Sequence, residues 1–210
     1  MIANSLQPLW LSWARELQAL GQTGLSYSTT NYDIQRYRRL LEIAAEIIEN
    51  YSNCPREELV ENFRIQPGYA TPKIDIRGAI VRDGKILLVQ ERIDNCWCMP
   101  GGWADVGETP SEAVVREVRE ESGFIVMPRK IIGIYDANRG GIPIEFYHAF
   151  KIIFLCDIIG GEACASEETL AVNFFNPDAL PALSSNRTNT RHISDIFEHL
   201  RDPNRPPVFD

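Results

Sequence analysis

The sequence predicts a mixed α/β or α+β sandwich preceded by a small helical domain, and three observations carry that reading. Residues 1–62 show helical periodicity with no strand alternation. From residue 73 onward, alternating strand-like runs are interleaved with helix signals, the pattern of layered α and β structure. Between the two, residues 63–72 turn rich in Pro and Gly ("QPGYATP") and read as a linker. The domain boundaries predicted are therefore 1–62, 63–72 and 73–210.

Taken in order, residues 8–20 suggest a first helix with Trp10, Trp13, Leu17 and Leu20 on one side. In "NYDIQRYRRLLEIAAEIIENY", apolar side chains fall at 34, 37, 40, 41, 44, 47, 48 and 51, a 3.6-residue stripe with one buried face. "PREELVENF" offers a third short helix, opened by Pro55. So few short helices bury little surface alone, which predicts that this segment packs on the rest of the chain or on a second copy. "KIDIRGAIV", the turn "RDG" and "KILLVQER" then predict a hairpin. Further strands are expected at 124–137, 146–157 and 170–175, and helices at 109–122 and near 188–200.

The helix at 109–122 has well-marked ends. Thr109 and Glu112 form the T-x-x-E of a capping box, Pro110 suits the first turn, and Gly123 suits the left-handed terminus. Val114, Val115 and Val118 make its apolar stripe, and Glu117, Glu120 and Glu121 occupy an adjacent arc of roughly 100°. Three carboxylates beside a core stripe are unfavourable unless a cation joins them. Oxygen donors at this spacing suit Mg²⁺ or Mn²⁺. The alternative for "REVREESG" alone is a solvated face of Glu and Arg pairs. The preceding "PGGWADVGE" supplies glycines that let backbone approach an ion or phosphate closely.

Residues 102–124, "GWADVGETPSEAVVREVREESGF", resemble the Nudix box G-x5-E-x7-R-E-U-x-E-E-x-G-U. Gly102, Glu108, Arg116, Glu117, Val118, Glu120, Glu121 and Gly123 match, and only Phe124 departs, aromatic where an aliphatic stands. The resemblance to Nudix hydrolases implies an α/β/α sandwich around a mixed sheet over roughly 73–200, ending in the region of "NFFNPDALP". It also implies hydrolysis of a nucleoside diphosphate linked to another moiety, with Mg²⁺ or Mn²⁺ as cofactor. By position in the box, Glu117, Glu120 and Glu121 are implied metal ligands, with the Gly101 carbonyl a further candidate. Arg116 is implied to orient the cluster, and Glu108 to be either a peripheral ligand or a loop anchor. The helical N-terminus, with "QTGLSYSTTNYD", resembles the extra domain of CDP-choline pyrophosphatase-like members.

For the general base, relatives carry a Glu where this chain has Ala171, so Glu168 is the first candidate, Glu167 the second, and Glu121 a third. Arg77 and Arg92 are candidates to hold a substrate phosphate, against the alternative of solvated charges at strand ends. Trp97 and Trp103 flank the glycine turn as either base-stacking or packing residues, and His148 reads as a packed or surface histidine.

Composition excludes other classes. The net charge of −8 and the absence of a basic stripe argue against long nucleic acid as a partner. No apolar run approaches the roughly 18 residues of a membrane span. Five cysteines without a C-x-x-C pair, and no signal-like N-terminus, predict reduced thiols and a cytoplasmic location, with Cys156 in the core. Three functions are compatible with the motif: a metal-dependent hydrolase, a non-catalytic nucleotide sensor or scaffold, and an enzyme of RNA ends. All box carboxylates are present, which favours the hydrolase. ADP-ribose-specific members often carry a proline about fifteen residues past the box, whereas here Pro128 lies too early and Pro143 late. The expected substrate is therefore CDP-choline or a similar pyrimidine diphosphate alcohol ahead of ADP-ribose, and the expected assembly a homodimer through or near the N-terminal helices.

Overall fold

The computed structural model describes residues 8–51, 60, 68–137 and 148–210. Cys54, Pro143 and, apart from Val60, the third helix expected at 55–63 lie outside the described residues. The chain divides into two compact units, one running to Pro72 and including His148, the other formed by the remainder from Lys73 onward.

In the first unit α1 (Leu9–Tyr27) and α2 (Asn31–Tyr51) pack lengthwise around Ala14, Leu41, Ala44, Ala45 and Ile48. Of the residues read on one side of α1, Leu17 packs against this core and Trp10 is half-buried. Leu11, Ala14 and Gly21 point inward, while Trp13 is 56% and Leu20 53% exposed. Small residues set the spacing of the two helices: a Cβ on Gly21 would lie 2.8 Å from Leu41 Cδ2, and one on Gly24 would lie 2.3 Å from the Tyr37 ring. Bare backbone there lets the helices approach closely, while Leu11 is buried and Leu17 packs on the core beside it. Trp10 stacks on Tyr51 with ring centroids 4.9 Å apart.

The second unit is built on a mixed sheet. Its strands are β1 (Lys73–Arg82), β2 (Lys85–Glu91), β3 (Trp97–Cys98), β4 (Phe124–Asp136), β5 (Ala149–Gly161), β6 (Thr169–Phe175) and β7 (Val208–Phe209). Their order is β3-β2-β1-β5-β4-β7, with β6 paired to β2. β1 and β5 run parallel, Lys73 opposite Ala149 through Ile80 opposite Cys156. The β1–β2 turn uses positive φ at Asp83 (52°) and Gly84 (71°), the geometry that "RDG" favours in a tight hairpin.

Two helices cover the sheet, making the expected sandwich. α3 (Pro110–Ser122) lays Val114 and Val118 on Ile76, Ile80 and Leu87. α4 (Thr190–Arg201) lays Ile193 and Ile196 on Ala79, Ile132 and Ile153 of the opposite face. Gly78 permits the first contact, since a Cβ there would lie 2.5 Å from Val118 Cγ2. Cys156 is buried beside α3. The ends of α3 follow the sequence: Thr109 accepts from the Glu112 amide, Glu112 accepts from the Thr109 amide at 2.8 Å, and Gly123 takes φ 76°. The two-residue strands β3 and β7 are too short to produce a sequence signal.

Candidate active site

After β3 the chain runs antiparallel beside β1 as a turn from Pro100 to Ala104. Gly78 N–H donates to Pro100 O (2.9 Å), Ile76 N–H to Gly102 O (2.8 Å) and Ala104 N–H to Ile74 O (3.0 Å). In this alternation the Gly101 carbonyl is left out of the ladder, and its N–H donates to Glu121 Oε2 at 2.8 Å. Gly101 has φ 140°, and a Cβ there would stand 2.0 Å from Ile76 O, so the turn admits only glycine. Gly102 has the carboxylate of Glu117 packed over it, 3.0 Å from where a Cβ would be. The glycines thus bring backbone directly under the α3 carboxylates.

Arg116 organises the outer side of the cluster. Its Nε and Nη2 donate to Glu108 at 2.7 and 2.9 Å, and its Nη1 donates to Glu117 (2.9 Å) and Glu120 (3.1 Å). Glu108 also accepts weakly from the Asp105 amide (3.4 Å), so its carboxylate anchors the loop. Its hydrogen bonds from Arg116 hold Glu108 below the usual carboxylate range. Glu120 is exposed, Glu117 half-buried and Glu121 only 6% exposed.

Burial raises the Glu117 carboxyl against the pull of Arg116. The same cause pushes Glu121 up to about 7, with Glu91 and Glu117 adding repulsion and Arg77 and the Gly101 amide opposing it. A buried glutamate whose ionisation is opposed first by burial and then by neighbouring carboxylates is a place where an added cation is favourable. Among the described residues no three His, Cys, Asp or Glu already converge on one point, and Arg116 bridges Glu117 and Glu120. The donors nonetheless fit a hard divalent cation: crowded carboxylates, one of them resisting ionisation, beside a carbonyl outside the sheet ladder.

The expected base candidates Glu167 and Glu168 are both exposed on the loop before β6. Thr169 ties that loop to α3 by donating to the Glu121 carbonyl at 3.0 Å. Arg92 is exposed and bound to the same loop, its Nε donating to Glu167 O (2.9 Å) and its amide to Glu168 O (3.1 Å). Trp97 packs edge-on against Phe175, while Trp103 stays 44% exposed and His148 half-buried.

Arg77 departs from expectation. It is 5% exposed, with Nε on Asp75 (2.9 Å) and Nη1 on Met99 O (3.2 Å), on the face of β1 turned away from α3. Its hydrogen bonds support the glycine turn from behind. Sequence reading also missed three buried charged groups beside it: Asp75, its partner Lys151 on β5, and Glu91, which accepts from Cys98 Sγ at 3.1 Å. The signal was available in the charges at 75, 77 and 151 inside otherwise apolar strands.

Residues 72–196 match the family model described as the NUDIX domain. The chain belongs to the Nudix hydrolase family. Residues 8–63 match a second model, a UDP-X-like, N-terminal oligomerisation domain. The protein of Bacillus subtilis (strain 168) named "Putative ADP-ribose pyrophosphatase YjhB" is 37% identical over 98% of this chain and 99% of its own. The crystal structure of a UDP-X diphosphatase superposes with TM-score 0.63 at 29% identity, over 96% of this chain and 98% of that one. An ADP-ribose pyrophosphatase from Streptococcus suis 89-1591 gives TM-score 0.61 at 36% identity, over 67% of this chain and 100% of that one. This Nudix hydrolase is thus a nucleoside diphosphate-X pyrophosphohydrolase by family, and such enzymes use divalent cations. Among the described residues no helix is long and apolar enough to cross a membrane.

Proposed function

We propose that this Nudix hydrolase uses Mg²⁺ or Mn²⁺ to cleave the diphosphate of a nucleoside 5′-diphosphate joined to a sugar or alcohol. The observation that carries the reading is the convergence of the carboxylates of Glu117 and Glu121 on the Gly101–Gly102 backbone, with Glu120 joined to Glu117 through Arg116. When bound, the cation neutralises charge developing on the diphosphate oxygens. Glu117, Glu120, Glu121 and the Gly101 carbonyl are the ligands we assign to it. Arg116 holds Glu117 and Glu120 in place through Nη1, with its Nε and Nη2 anchored on Glu108. Glu168 is the group we assign to take the proton from the attacking water, and Arg92, beside it, the cation that meets a substrate phosphate. Water adds to phosphorus, the bridging P–O bond breaks, and a nucleoside monophosphate leaves with the phosphorylated second moiety.

For the substrate, the relatives' names support ADP-ribose and UDP-linked compounds ahead of the CDP-choline expected from the N-terminal segment. The late proline at 143 is therefore a weaker guide than a match along nearly the whole chain. The deciding measurement is kcat/KM for ADP-ribose, a UDP-sugar and CDP-choline under one metal condition, with products identified by mass. AMP and ribose 5-phosphate as the fastest products support the first choice. A preference for CDP-choline, releasing CMP and phosphocholine, reverses the order. No turnover of any diphosphate with Mg²⁺ or Mn²⁺ refutes the enzymatic reading. We further propose a homodimer through the N-terminal helices. The exposed Trp13, Leu20 and Tyr27 on α1 and the match to an oligomerisation domain support it.

A further inference from the structure

Beneath the glycine turn, on the side of the sheet covered by α4, lies a group of charges that the chemistry above does not use. Asp75 and Arg77 occupy alternate positions of β1, and Lys151 stands opposite Asp75 in the parallel register with β5. All three are buried, at 6%, 5% and 1% exposure. Lys151 Nζ donates to Asp75 Oδ2 and Arg77 Nε to Asp75 Oδ1, so one carboxylate holds two cations. Burial opposes ionisation of Asp75, but Arg77 and Lys151 outweigh it and keep the carboxyl below its usual range. Asp75 faces both cations, and Glu91 lies near enough to Arg77 to offset its charge further. Charges so deeply buried are costly, and apolar residues in their place are often neutral or stabilising. Their presence in this core therefore asks for a function.

The hydrogen bonds point to one. Arg77 Nη1 donates to the Met99 carbonyl, two residues before Gly101. The Met99 amide is in turn held by Thr188 Oγ1 at 2.9 Å. The peptide units on both sides of Met99 are thus fixed from the α4 side, immediately before the backbone that meets Glu121. The Arg77 guanidinium also draws the field of Glu121 and Glu117, partly offsetting the carboxylates from below.

We infer that Asp75, Arg77 and Lys151 are positioning residues that set the glycine turn and Glu121 for the divalent cation, without touching substrate. Lys151 orients Asp75, Asp75 orients the Arg77 fork, and the fork fixes the turn. The inference rests on the cation site assigned above. Partners behind metal ligands typically change metal affinity or activity by 10–100-fold when removed.

The test uses the full-length protein titrated with Mn²⁺ alone, followed by the EPR signal of the free ion. Thermal unfolding without metal, and kcat and KM at saturating metal, are measured beside it. Asp75→Asn preserves shape, and Arg77→Lys preserves charge but loses the fork. Each is expected to weaken Mn²⁺ about tenfold or more and to lower kcat, with KM changed less than threefold. Lys151→Met, one bond further away, should act in the same direction and less. If Arg77→Lys does not fold, the isosteric Asp75→Asn decides. A folded Asp75→Asn with wild-type Mn²⁺ affinity and kcat overturns the inference, even if it melts lower, because that is a structural role only. A rise in KM alone overturns it in favour of direct substrate contact. Glu121→Gln separates the two claims: unchanged Mn²⁺ affinity in that variant overturns the cation site itself. Weakened binding there with none in Asp75→Asn overturns only the positioning role.

Discussion

Replacing Glu121 by Gln removes one negative charge from the cluster while preserving the side chain's size. The Gln Oε1 retains the 2.8 Å bond from the Gly101 amide, so the turn keeps its geometry. In the metal-free protein the native carboxylate is disfavoured by burial and by Glu91 and Glu117. The variant should therefore fold at least as stably as the wild type in chelator at pH 8. Catalysis should suffer in the opposite sense. An interaction aimed at developing charge in a buried site is typically worth 10²–10³ in kcat. We expect a loss of at least about 100-fold, which is about 2.7 kcal/mol of transition-state stabilisation. The assay is kcat at saturating Mg²⁺ and again at saturating Mn²⁺, with urea unfolding in chelator as the control for structure. Activity within threefold of wild type under either metal would refute the assignment of Glu121. Lower stability in chelator would refute the electrostatic account of the cluster.

Gly101→Ala forces a Cβ to within 2.0 Å of Ile76 O at φ 140°, and should cost at least about 2 kcal/mol of stability together with most activity; chemical denaturation checks this. Trp13→Glu and Leu20→Glu change exposed side chains and should leave the fold intact while shifting sedimentation from dimer to monomer. A dimer in both variants would place the contact elsewhere. His192 completes the capping box of α4 and lies beside Tyr135; burial first, then the charges of Lys151, Arg191 and Arg77, oppose its protonation, with Asp75 favouring it. Its pKa is pushed down to about 3, below the unfolded value of about 6.5, so the unfolded chain binds the extra proton and stability falls as pH falls below about 6.5. The loss from pH 8 to pH 5 should be about 2 kcal/mol from this residue, and His192→Gln should reduce the measured difference by about that amount.

Much of this was legible in the sequence because local rules and global packing agree there. The caps of α3, its Val stripe and its carboxylate arc all follow from spacing, and the structure keeps each of them. The reading failed where contacts set by distant chain segments decide. On α1 the apolar side was legible, but the close approach of Gly21 and Gly24 to Leu41 and Tyr37 depends on a partner helix that no local pattern names. At Arg77 the sequence showed a charge on a strand leading to the box. Its burial depends on Lys151, 74 residues later, being placed opposite Asp75 by the parallel register of β5. No local pattern carries that pairing.

The two arginines around the cluster then have distinct physical tasks. Arg116 is partly solvated and touches the carboxylates themselves, so it stabilises them in the metal-free protein and, on the ligand assignment proposed above, would share Glu117 and Glu120 with the cation. Arg77 is buried, touches none of them, and is held by Asp75 whichever state the outer face adopts. Attraction from a solvated charge is screened, whereas a buried one acts at lower effective dielectric. The outer arginine can thus yield as metal binds while the inner one keeps the turn fixed. Raising ionic strength should therefore weaken the hold of Arg116 more than that of Arg77. In the wild type this would appear as Mn²⁺ affinity falling with salt by general screening. In Arg116→Gln, which lacks the competing cation, the affinity should fall more steeply. An identical salt dependence in the two proteins would show that Arg116 does not compete with the ion.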